Sequence, residues 1–172
     1  AWLAGLVVPQ ALRAALLPVL GEHRNDSDKF QNSLNNSLDL CLGILPIGLF
    51  LGAGIVYFLL PITFPEQYFD GSIGASAVDL FMILLFGWCL TLMATPTYTA
   101  LQAGRKPWNF TFLIAIVVIF ATFIGYVLID WQAAKSDGAG LYAGAITSSV
   151  TSGFLLLMSI HLSSNWSLIN TR

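Results

Sequence analysis

Four apolar runs, each long enough to cross a bilayer, follow one another at residues 39–60, 77–103, 110–129 and 140–162. A hydrocarbon core about 30 Å thick takes roughly 20 residues of helix. Inside it no water is available to bond a free backbone N–H or C=O, and a continuous apolar run satisfies both groups only as a helix. A fifth apolar stretch, 1–20, opens the chain. The expectation is therefore an all-α fold: one polytopic membrane bundle over residues 1–172, with helices at about 1–20, 39–60, 77–103, 110–129 and 140–162.

Composition agrees. Charged residues make up 9% of 172 and hydrophobic residues 56%, with a mean hydropathy of +0.77. A soluble domain carries about a quarter charged residues, so this chain has too few to cover a surface in water. A net charge of −2 lacks the basic stripe that nucleic acid requires, and no nucleic-acid partner is expected. Cys41 and Cys89 both fall in apolar runs and read as small buried hydrophobes. His23 and His161 are far apart, and no metal-ligand spacing, nucleophile elbow, phosphate loop or dinucleotide fingerprint is present. Hence no metal, no cofactor and no enzymatic chemistry are expected. The stretch 1–20 does not read as a signal peptide, because it has no basic start and carries Arg13 near its middle. The chain is expected to be part of a longer membrane protein.

The connections alternate in charge. Arg24 and Lys29 lie in the polar segment 21–38, Arg105 and Lys106 in the turn 102–109, and Arg172 at the tail. Segment 61–76 has no Lys or Arg but holds Glu66 and Asp70, and segment 130–139 sets Lys135 against Asp130 and Asp137. Excess Lys and Arg marks the cytoplasmic side, which places the first, third and C-terminal segments there and the other two outside. Four Asn-x-Ser/Thr sequons, at Asn25, Asn35, Asn109 and Asn165, then fall on the cytoplasmic side and read as chance. Gly48, Gly52 and Gly54 in one span, and Gly140, Gly144 and Ala145 in another, offer close helix approach.

Ionisable groups inside a membrane cost about 2.5–3.5 kcal/mol at a helix centre, so each one asks for a reason. Asp39 reads as the cap of its helix, where the macrodipole favours an anion. Asp79 stands just inside its span: either it faces a water-filled cavity and holds a cation or a substrate hydroxyl, or it is a helix-start carboxylate at the surface. Arg13 either snorkels to the interface or lines a cavity that accepts an anion such as a pyrophosphate. Pro96 removes a backbone hydrogen bond within Thr91–Thr99, and the hydroxyls of Thr91, Thr95 and Thr99 are placed to satisfy freed carbonyls or to line a polar lumen. Pro96 is thus the hinge candidate, against a static kink.

The order of features carries a resemblance. A helix ending Ala14-Ala15-Leu16-Leu17-Pro18-Val19-Leu20 leads to a polar loop with Glu22, Arg24, Asp26 and Asp28. A helix with an internal Leu45-Pro46 follows, then an outer loop with Tyr68 and a helix ending Ala100-Leu101-Gln102-Ala103-Gly104-Arg105-Lys106. Gly138-Ala139-Gly140-Leu141-Tyr142-Ala143-Gly144-Ala145 opens the last helix. This resembles the second half of the polysaccharide or O-antigen flippases, in the superfamily that also holds multidrug and toxin extruders. The resemblance implies one bundle of a two-bundle transporter of about 12 to 14 helices, working by alternating access. It also implies a lipid-linked oligosaccharide as substrate, membrane lipids as surroundings, an N-terminal bundle of the same protein as partner, and the inner membrane as location.

Three rivals stand beside this reading, one of them a structural membrane component with no substrate path, against which Pro96 and the threonine cluster count. A cation-coupled extruder needs an acid deep in its helices. A lipid-modifying membrane enzyme needs carboxylates or histidines clustered at one interface, and those here are scattered. The alternation of sides itself has a direct check: single cysteines at Glu66 and Arg105 are expected to react with an impermeant reagent from opposite sides of the membrane, and reaction from one side overturns the topology.

Overall fold

The computed structural model describes residues 2–69, 76–104, 107–133 and 139–169. The loop charges Asp70, Arg105, Lys106, Lys135, Asp137 and Arg172 lie outside them. The described chain is all helical: α1 (Trp2–Glu22), α2 (Ser27–Gly54), a wider π turn at Ile55–Leu59, α3 (Leu60–Thr63), α4 (Ala77–Ala103), α5 (Trp108–Ala133) and α6 (Ala139–Ile169). Among the described residues four stretches are long and apolar enough to cross a membrane: Ser27–Thr63, Ala77–Ala103, Trp108–Trp131 and Gly140–Ser163. The chain is a membrane protein with an all-α bundle fold, and α4 has the expected bounds.

The largest departure is at α2. Residues 21–38 were expected as a polar loop and Asp39 as a cap, yet the helix starts at Ser27. Asp26 is the true cap, its side chain accepting from the Lys29 N–H at 3.2 Å. That hydrogen bond, followed by one from the Lys29 side chain, holds the Asp26 carboxyl below its ordinary value of 3.8. Asn and Ser are weak helix formers that favour loops when packing is ignored. Packing decides here. Leu34, Ser37 and Cys41 recur at helical spacing and are buried, and Leu34 joins Leu20 and Ala100 in one cluster flanked by Leu16, Phe30 and Leu38.

At its other end α2 widens into the π turn before Pro61. Pro61 has no N–H for the carbonyl four residues back, and its ring crowds that carbonyl, so a looser turn relieves the conflict. Thr63 Oγ1 donates to the Leu59 carbonyl at 2.8 Å.

Helix directions follow from which residues meet. Gly48 of α2 lies against Trp88 and Gly52 against Leu85, so α2 and α4 are antiparallel. Phe120 of α5 stacks on Phe154 of α6 at 4.0 Å between centroids, and Gly125 meets Thr147, so α5 and α6 are antiparallel too. In α4 and α6 the paired positions rise together, from Gly87 against Ser149 to Thr97 against Ser159. Those two helices are parallel. Helices α2, α4, α5 and α6 therefore alternate in direction, as successive membrane crossings must. Leu101, Leu113 and Val117 form the buried knot where α4, α5 and α6 meet, with Phe154, Leu155 and Met158 against it. Outward, α5 exposes Phe112, Ile119, Phe123 and Tyr126, a surface suited to lipid rather than water.

The closest approach to another helix's backbone among the described glycines is at one that spacing arguments passed over. A Cβ on Gly87 would stand 2.7 Å from Ser149 Oγ and 3.0 Å from Ser149 Cα, whereas nothing lies within 4 Å of one on Gly54, Gly140 or Gly144. Gly48 and Gly52 do serve as expected. Gly87→Ala must push α6 backbone away and is expected to destabilise by about 1–3 kcal/mol, as overpacking does. Gly144→Ala is expected to be neutral or stabilising by up to about 1 kcal/mol through helix propensity. Unfolding of the purified protein in mixed micelles compares the two.

Candidate functional site

Arg13 is the ionisable group with the most unusual surroundings. It projects from α1 onto the last turn of α4, where Nε and Nη2 both donate to Gln102 Oε1, at 3.1 and 2.8 Å. Its guanidinium carbon stands 5.8 Å from the ring centroid of Phe110, in the first turns of α5. Leu20 of the same helix packs with Ala100 and Leu34, which pins α1 across the C-terminal end of α4.

The electrostatics are unbalanced. A guanidinium has five N–H donors and no acceptor. Two reach one neutral carbonyl oxygen, so three have no partner among the described residues, and no carboxylate neutralises the charge there. The described ion pair, Lys29 with Asp26 at 3.1 Å, is elsewhere and exposed. Two weaker terms hold the cation: the negative end of the α4 dipole, typically about 0.3–1 kcal/mol, and the Phe110 face, about 0.5–2 kcal/mol. Arg13 is half-buried. It is tethered by protein and still has donors to offer.

Asp79 is far from it. About 23 residues of helix separate Asp79 from Gln102, roughly 35 Å at 1.5 Å per residue. It stands exposed in the first turn of α4. The Tyr142 hydroxyl from α6 donates to Asp79 Oδ2 at 3.2 Å and accepts the Ser76 N–H at 3.0 Å. Tyr142 thereby closes the N-terminus of α4, and the carboxylate sits where the dipole favours it.

The threonines lie inside the helix packing. Thr95 and Thr99 have no exposed surface and Pro96 is buried. Thr95 Oγ1 donates to the Thr91 carbonyl at 2.9 Å, Thr97 Oγ1 to that of Ala94 at 2.8 Å, and Thr99 Oγ1 to that of Thr95 at 2.6 Å. These bonds flank the Leu92 carbonyl, which is the one that Pro96 deprives of an amide. A hydroxyl folding back along its own helix reaches three or four residues, and each of these three takes another carbonyl. Helix α4 nevertheless runs unbroken through Pro96.

Across the α4–α6 seam the hydroxyls act between helices. Ser149 Oγ donates to the Ile83 carbonyl at 2.6 Å, Thr91 Oγ1 to Ser152 Oγ at 2.9 Å, and Thr97 Oγ1 shares a hydrogen with Ser159 Oγ at 2.7 Å. Arg13, Asp79 and the threonines therefore occupy three separate places. Gln102, Phe110, Tyr142 and the α6 serines are the partners that sequence reasoning did not pick out. Ser149, Ser152 and Ser159 recur at helical spacing, a signal open to reading. Nothing in the sequence ties Gln102 to Arg13.

No protein-family model, curated protein or solved structure matches this chain. The seam makes its own prediction. A double-mutant cycle of Thr97→Val and Ser159→Ala is expected to give a coupling of about 0.6 kcal/mol and at most about 1.7, the range of interhelical hydrogen bonds in membranes. It is read from unfolding in mixed micelles, and zero coupling contradicts the pairing.

Proposed function

We propose that the chain is one bundle of an inner-membrane transporter that flips lipid-linked oligosaccharides, with its C-terminus in the cytoplasm, and that it performs no enzymatic chemistry. The carrying observation is Arg13: a tethered guanidinium, uncompensated by any described carboxylate, with three donors to spare. Its planar fork suits the oxygens of a phosphate or pyrophosphate, the charged part of such a lipid. The family resemblance supplies the glycan and the carrier lipid, and the motion would be rocking of this bundle against a second one. A cation-coupled extruder is the weaker reading, because Asp79 is exposed at a helix end and occupied by Tyr142.

Three variants of the complete protein test this. Arg13→Ala is expected to abolish glycan export at normal abundance, and Arg13→Lys to keep part of it. Gln102→Glu turns the tether into a charge-assisted pair, worth about 1.5–3 kcal/mol against about 1 for a neutral bond. It is expected to raise thermal stability while export falls, because the cation is then spent on protein. Wild-type export by Arg13→Ala retires the proposal.

A further inference from the structure

Starting α2 at Ser27 leaves Asp39 without the reason the sequence offered for it. The residue is no longer a cap but stands in the thirteenth position of a continuous helix, and it is exposed. Asn32, Asn35 and Asn36 are exposed as well. At 3.6 residues per turn these four side chains fall within an arc of about 100°. The buried stripe of Leu34, Ser37 and Cys41, continued by Gly48 against Trp88 and Gly52 against Leu85, lies on the other side of the helix. The polar arc therefore faces away from α4, and no described element covers it.

Its depth decides what that means. Leu34 shares a cluster with Ala100, and Gly48 lies against Trp88. Counting along the antiparallel pair from either contact puts Asp39 level with the stretch Thr95–Thr97 of α4. Helix α4 is 27 residues long with Leu90 at its middle. A core about 30 Å thick, taken up by roughly 20 residues, then ends near residue 100. Asp39 falls roughly 5–8 Å inside that edge at 1.5 Å per residue, and Asn35 and Asn36 at the edge itself. A carboxylate and carboxamides at this depth do not face acyl chains; side chains of this kind face a bundle interior or a water-filled cavity. Gln31 donates to Asn35 Oδ1 at 3.2 Å, and the remaining amide and carboxylate groups are open. Leu40 and Leu42 flank the arc at the same depth and are exposed too, as lipid-facing leucines are.

We propose that the Asn32–Asn35–Asn36–Asp39 face of α2 lines an aqueous vestibule that enters the bundle from the side bearing Arg24 and Lys29. The occupant is water, and the vestibule closes where the arc turns apolar, at Pro46, Ile47 and Phe50. The inference needs the membrane embedding of α2 and the side assigned by the loop charges, and nothing about what is carried, so it survives if the flippase reading fails.

Single cysteines at Asn35, Asn36, Asp39, Leu40 and Leu42 test it in the membrane-embedded protein, using a charged, impermeant methanethiosulfonate on inside-out vesicles. The native Cys41 and Cys89 are buried, and the parent protein supplies their background. Labelling with a maleimide after denaturation normalises each variant to the amount present. Asn35→Cys, Asn36→Cys and Asp39→Cys are expected to react an order of magnitude faster than Leu40→Cys and Leu42→Cys. Equal rates at Asp39 and Leu40 would mean that this third of α2 simply stands outside the membrane, and they overturn the vestibule. Slow reaction at Asp39→Cys, as slow as at Leu42→Cys, means that lipid or another protein segment covers the face, and it overturns it equally.

Discussion

Helix α4 holds the two sides of the bundle together, reaching α1 and α2 on one flank and α5 and α6 on the other, with Arg13 of α1 over the Phe110 ring of α5 as a direct contact beside it. That central position depends on the parallel packing of α4 against α6. Lipid offers no hydrophobic drive for one helix to leave the bilayer for another, so association rests on close van der Waals contact and interhelical hydrogen bonds. Gly87 supplies the first by letting the Ser149 backbone approach to what would be Cβ contact. The Ser149, Thr91–Ser152 and Thr97–Ser159 hydroxyls supply the second. A polar side chain buried in this seam costs little, because its partner travels with it.

Helices α1 and α2 are held differently. Their main anchorage is the cluster of Leu20, Leu34 and Ala100 near the end of α4, with Arg13 on Gln102 beside it and the two glycine contacts farther up α2. Most of the surface of α2 is exposed. The α4–α5–α6 unit is thus more extensively packed than the α1–α2 pair. Pro96 does not lie at the boundary between them. It is buried among hydroxyl bonds, in a helix that stays continuous.

The spans were legible to different degrees, for physical reasons. Helix α4 was readable to the residue because Pro, Gly and charge punctuate both ends of an apolar run. The first third of α2 was not, because Asn, Ser and Asp favour turns when nothing packs on them, and the burial of Leu34 and Ser37 becomes visible only once Leu20 and Ala100 are in place. Asp39 was misread with it: a carboxylate ahead of an apolar run looks like a cap, and only the upstream turns show that it is not. For Arg13 the sequence exposed the oddity of a charge in an apolar stretch. Its partner lies 89 residues away on another helix, beyond the reach of any local pattern.

Sequence by itself determined the solvent of this protein and the number of its long helices, because the need to bond every backbone group in hydrocarbon leaves an apolar run of bilayer length one conformation. Tertiary structure alone decided which polar side chains are spent and which are open. Thr95 and Thr99 satisfy carbonyls of their own helix, Asp79 closes a helix end with Tyr142, and Arg13 keeps three donors with no partner among the described residues beyond Gln102. Hydrogen-bond partners are chosen by distances of about 3 Å between helices, and spacing along one chain does not encode them.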